Sequence, residues 1–116
     1  MIQLSPGMRV FIHVEPIDFR NGIDGLAGVC RRRLNQDPMS GAVFLFTNRR
    51  RTSLKILVYD GQGFWLCQKR LSDGTFKFWP RNEALFSAPQ IQVLLYNGNP
   101  GGSQMAPAWK ALPGTI

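Results

Sequence analysis

Between two apolar runs, Leu54 to Tyr59 and Phe64 to Leu71, the chain reads Asp60-Gly61-Gln62-Gly63. Asp and Gly tolerate the positive backbone angles of a tight turn, so these segments predict a β-hairpin. That hairpin constrains the pairing of everything beside it. Counting outward from Asp60-Gly61 sets Tyr59 opposite Gln62, Leu57 opposite Phe64, Lys55 opposite Leu66 and Arg51 opposite Arg70. A four-residue loop slips this register by one. In either register Arg49, Arg50 and Arg51 fall at the same end of the sheet as Lys69 and Arg70.

The flanking sequence extends the hairpin into an α+β domain. Ala42 to Thr47 is a Phe- and Leu-rich strand run, and Met8 to Val14 alternates with period two until Pro16 closes it. Between them, Ile23, Leu26, Ala27, Cys30 and Leu34 recur at helical spacing, predicting one amphipathic helix that ends before Asp37-Pro38. Asp73-Gly74 makes a further turn before Phe76, Phe78 and Trp79. Ser87-Ala88-Pro89-Gln90 reads as a capping box opening a short helix over Ile91, Leu94 and Leu95, with Gly98 as its stop. The expected architecture is a small antiparallel β-meander of about four to five strands, one helix after the first strand and a short C-terminal helix. With 116 residues, 44% of them hydrophobic, there is material for one core. The expected organisation is a single domain over 1–97 and a Gly/Pro-rich flexible tail over 98–116.

Two cysteines, Cys30 and Cys67, lack further metal ligands at useful spacing and read as reduced core residues, with a single bridge between them left open. No apolar run reaches the roughly 18 residues a membrane span needs, and nothing at the N-terminus reads as a secretion signal. The expected location is cytoplasmic.

Charge gives the clearest functional signal. Fourteen Lys and Arg against seven Asp and Glu give +7, and ten of the fourteen are arginine, which pairs bidentately with phosphate. Residues 31–81 hold eleven cations and three acids, so the window carries +8 and the remainder −1. Such clustering is the footprint of a protein that neutralises phosphates, although an acidic protein partner or a solvated basic face fits it too. Arg31, Arg32 and Arg33 also suit the carbonyl end of the first helix. The expected phosphate-binding set is Arg49, Arg50, Arg51, Lys55, Lys69 and Arg70. The aromatics near the strands read chiefly as core, with base stacking a lesser reading.

Enzyme signatures are sparse. The one histidine, His13, stands without a serine or cysteine in a nucleophile-elbow context, and no glycine loop followed by Lys-Ser/Thr is present. A metal-binding triad of Asp18, Asp60 and Glu83 for two-metal phosphoryl transfer is conceivable, but its spacing is not distinctive. The expectation is a non-enzyme with no catalytic residues, metal or cofactor.

An ordered series of motifs runs through the chain: Ile17-Asp18-Phe19-Arg20-Asn21-Gly22-Ile23-Asp24-Gly25-Leu26, Asp37-Pro38-Met39-Ser40-Gly41, Arg49-Arg50 leading to Leu54-Lys55, Asp60-Gly61-Gln62-Gly63-Phe64, and Lys69-Arg70-Leu71 with Phe78-Trp79-Pro80. It resembles the TnpB accessory protein of the sixty-six class of bacterial insertion sequences, from about the N-terminus to residue 96. That protein shares only a name with the large RNA-guided nuclease. Tyr59 departs from the tryptophan common before Asp-Gly. The resemblance implies a mobile-element protein that assists a separate transposase, and it carries over no catalytic residues. Asp18 and Arg20 are expected to brace the helix entrance, and Gly22 and Gly25 to permit close backbone approach. Together, charge and resemblance imply an accessory factor contacting DNA at the element ends and the transposase of the same element. An adaptor that binds the transposase without DNA, and a metal-dependent nuclease, are the alternatives.

Overall fold

The computed structural model describes residues 7–81, 85–86 and 88–98. The elements are β1 (Val10–Ile12), α1 (Ile23–Arg32), β2 (Val43–Thr47), β3 (Ser53–Tyr59), β4 (Phe64–Arg70), β5 (Leu85–Phe86) and α2 (Ala88–Leu95). The α+β class and both helices agree with the sequence reading. The five strands form one sheet in the order β4-β3-β2-β1-β5. The meander runs through β2, β3 and β4, whose neighbours are antiparallel. β1 instead lies parallel to β2, because α1 carries the chain back along the sheet before β2 begins.

Each face of the sheet has its own cover. On one, Phe44, Phe46 and Leu57 pack with Leu26, Ala27 and Cys30 of α1. On the other, Val10, Ile12, Val43, Leu45, Leu54, Ile56 and Val58 pack with Ile91 and Leu94 of α2 and with Phe76 and Trp79. β2 is therefore buried on both faces, which is why its sequence is an apolar run without alternation. Trp79 satisfies its indole N–H by donating to the Val14 carbonyl at 2.8 Å. Cys30 and Cys67 belong to opposite faces and both are free thiols, so the single bridge left open by sequence does not form.

Local chemistry sets the connections. β3 and β4 are joined by the four-residue loop Asp60–Gly63, with Tyr59 opposite Phe64 and Ser53 opposite Arg70. The two-residue register is displaced because Asp60 Oδ1 accepts the Gln62 and Gly63 amides, each at 2.9 Å, while Gly61 takes a φ of 97°. Between β2 and β3, Asn48 Oδ1 accepts the amides of Thr52 and Ser53 at 3.0 and 3.2 Å.

α1 stops at Arg32, short of the expected end, where Asn35 turns left-handed (φ 54°) and the Gln36 amide returns to the Cys30 carbonyl. α2 ends in the same way, with Asn97 at φ 62° and the Gly98 amide donating to Val93. Asn97, not Gly98, supplies the left-handed residue. Ser87 of the expected capping box and the tail from residue 99 lie outside the described residues.

Candidate nucleic-acid interface

β2 runs toward Thr47, and the turn Asn48–Thr52 reverses the chain into β3 at the same end of the sheet where β4 finishes at Arg70. Arg49, Arg50 and Arg70 are exposed there and Arg51 is partly so. Arg51 has a left-handed backbone (φ 57°), its amide closes the turn onto the Asn48 carbonyl, and its own carbonyl accepts the Phe76 amide at 2.8 Å. The turn is therefore pinned at both ends while its arginine side chains project from it.

The loop entering α1 reaches the same end, because the Ile17 amide donates to the Thr47 carbonyl. An open cleft of about 390 Å³ separates the two segments, lined by Pro16, Ile17, Asp18 and Phe19 on one side and Asn48, Arg49 and Arg50 on the other. Asp18 does not neutralise the turn. Its carboxylate accepts the Arg20 amide and guanidinium, with Nη2 at 2.6 Å, and this interaction holds its pKa down at about 2. It is the one salt bridge among the described residues. Asp18 and Arg20 thus brace the helix entrance as expected, with the Asp18 carbonyl also accepting the Asn21 side chain. Gly25 makes room for that side chain: a Cβ there would stand 2.4 Å from Asn21 Oδ1. Gly22, where a Cβ would meet nothing, carries no such requirement.

Two of the six expected phosphate-binding residues are employed inside the fold. Lys55 is 7% exposed, on the α1 face beside Phe46 and Gln68 in register. Its Nζ donates to the Phe19 and Asn21 carbonyls at 2.8 and 3.1 Å and sits 4.8 Å from the Phe19 ring centroid. Lys69 lies on the other face, because successive strand residues point in opposite directions. Its Nζ donates to the Leu95 carbonyl at the end of α2 and lies 4.8 Å from the Tyr96 ring. A cation complements the exposed carbonyls of a helix C-terminus, and burial pushes this lysine's pKa down. The convergent set is therefore Arg49, Arg50, Arg51 and Arg70. Arg31, Arg32 and Arg33 lie away from it, at the opposite end of the sheet, where α1 terminates.

The acidic triad does not assemble. Asp18 stands at the arginine end and Asp60 in the hairpin loop at the other, where its second oxygen accepts the Trp65 indole N–H at 2.8 Å. Glu83 lies outside the described residues. Of the aromatics, Phe44, Phe46, Phe76 and Trp79 are core, whereas Trp65 and Phe78 are exposed.

Comparison with known proteins agrees with the motif series. The family model described as IS66 Orf2 like protein matches residues 8–99. The chain belongs to the IS66 Orf2-like family. This supports an accessory role in transposition of that class of insertion sequence. Relatives include the uncharacterized protein y4jC of Sinorhizobium fredii, 36% identical over 99 residues, covering 84% of this chain and 85% of the relative. Another, y4hO of the same organism, is 35% identical over 98 residues, covering 82% and 84%. No solved structure matches. Among the described residues, no helix is long and apolar enough to cross a membrane.

Proposed function

We propose that this IS66 Orf2-like protein is a non-catalytic accessory factor that contacts phosphates of the element ends through Arg49, Arg50, Arg51 and Arg70, while a separate transposase performs the strand chemistry. The observation that carries the reading is the presence of four arginines at one end of the sheet, none of which forms a side-chain hydrogen bond or ion pair with an acid among the described residues. Like charges gathered without a counter-charge cost stability, and a bound polyanion offsets that cost. The cleft beside Arg49 and Arg50 gives a phosphodiester chain room to approach the guanidinium groups.

Binding of duplex element ends and scrambled duplex, with and without the transposase, tests the reading. The wild type is expected to bind both duplexes, and Arg49→Ala/Arg50→Ala to weaken both equally, since phosphate contacts position a protein without reading sequence. Failure of the wild type to bind either duplex at low salt, with retention of transposase binding, supports the adaptor reading instead.

A further inference from the structure

The two edges of the sheet differ. β5 closes one edge with two residues, whereas β4 presents seven, with an unbroken register against β3 and no proline. Among the described residues nothing pairs with the outer side of β4. Its free groups follow from the ladder. The Asp60 amide donates to Gly63 and the Leu71 amide to Thr52. Antiparallel pairs alternate between bonded and non-bonded, so Trp65, Cys67 and Lys69 direct their backbone groups at β3. Those of Phe64, Leu66, Gln68 and Arg70 therefore point outward. A long edge of this kind, without proline or bulge, is a template for another strand.

The order of side chains along β4 selects the strand. Aromatics Phe64 and Trp65 stand at one end and cations Lys69 and Arg70 at the other. Laid antiparallel on itself about Cys67, the strand sets Phe64 opposite Arg70 of the second copy, Trp65 opposite Lys69, Leu66 opposite Gln68, and Cys67 opposite Cys67. This register pairs the outward amides with one another and leaves the cysteines in a non-bonded pair, where side chains come closest. Arg70 meets the Phe64 ring of the second copy, a favourable contact, whereas parallel in-register pairing sets Arg70 against Arg70. Trp65, 57% exposed on the edge strand, is then covered by the second copy. We propose that this protein is a homodimer joined through its β4 edges into one continuous sheet, with the two-fold axis at Cys67. The proposal does not rest on the phosphate reading, although both involve Arg70.

Sedimentation velocity of the full chain across the micromolar range tests it, with two variants and a crosslink. The wild type is expected to be dimeric. Gln68→Pro removes an outward amide without touching the bonds to β3, and is expected to be a folded monomer. Trp65→Lys sets lysine against Lys69 twice by symmetry, and is expected to raise the dimer Kd about tenfold; if Gln68→Pro does not fold, this variant decides. In a Cys30→Ser background, mild oxidation is expected to give a disulfide-linked dimer that Cys67→Ser abolishes. A monomeric wild type overturns the proposal. So does a dimer that both variants preserve and Cys67 does not crosslink, or a monomer whose β4 pairs only with the transposase.

Discussion

The Lys55 ammonium donates to the Phe19 carbonyl 2.8 Å away, joining the middle of β3 to the entrance of α1 across 36 residues of chain. The same group holds the Asn21 carbonyl, so one buried cation fixes the loop that forms a wall of the cleft beside Arg49. A lysine in the most basic part of the chain is thus a structural tie.

Removing that tie leaves two carbonyls without their donor. Lys55→Met is expected to destabilise the fold by about 2–4 kcal/mol, since hydrogen bonds to a charged group exceed neutral ones and the stripped acceptors lose their donor. Urea denaturation measures this. A change below about 0.5 kcal/mol, the range of ordinary surface substitutions, contradicts the assignment.

The arginine end is expected to behave oppositely. Arg49 and Arg50 are exposed and form no salt bridge among the described residues, so Arg49→Ala/Arg50→Ala is expected to leave unfolding within about 0.5 kcal/mol of wild type. A loss comparable to that of Lys55→Met shows these arginines to be structural.

Acid reveals the Asp18–Arg20 brace. The folded-state pKa of Asp18 is held down at about 2 from 3.8, chiefly by the hydrogen bonds from Arg20. A depressed carboxyl pKa contributes stability that is fully present above the unfolded value and is lost as pH falls through the folded one. The stability difference between wild type and Asp18→Asn is therefore expected to be constant above about pH 5 and to shrink between there and pH 2. Urea midpoints measured across that range decide it; a difference independent of pH contradicts the brace.

The two thiols are expected to react at different rates. Cys30 is buried under α1 and its pKa is pushed up to about 12 by burial, while Cys67 lies half-buried on the edge strand. Thiolate is the reactive form, so alkylation at pH 8 with mass-spectrometric readout is expected to modify Cys67 first and Cys30 only on unfolding. Equal rates contradict the burial of Cys30.

Much of this fold is legible in the sequence. Turn chemistry at Asp60–Gly63 and the helical spacing of Leu26, Ala27 and Cys30 are local, and local signals locate elements. The parallel placement of β1 is not local: spacing along the chain does not say on which side of β2 a crossover lands. The site is legible in part. Arg49 and Arg50 follow a strand and precede another, which places them in an exposed turn. Lys55 had a signal of its own, since period two sets it on the same strand face as the core residue Leu57, but net charge treats every cation alike. Lys69 had none, because its acceptor, the Leu95 carbonyl, is 26 residues away and is supplied only by the docking of α2.

The most direct test of phosphate contact by the arginines, and not the lysines, is the salt dependence of duplex DNA affinity. Counterion release lowers the slope of log affinity against log salt by about 0.9 per phosphate contact. Four contacting arginines predict a wild-type slope near −3.6, reduced in magnitude by about 1.8 in Arg49→Ala/Arg50→Ala and unchanged in Lys69→Met. An unchanged slope in the double arginine variant, or a shallower one in Lys69→Met, contradicts the account.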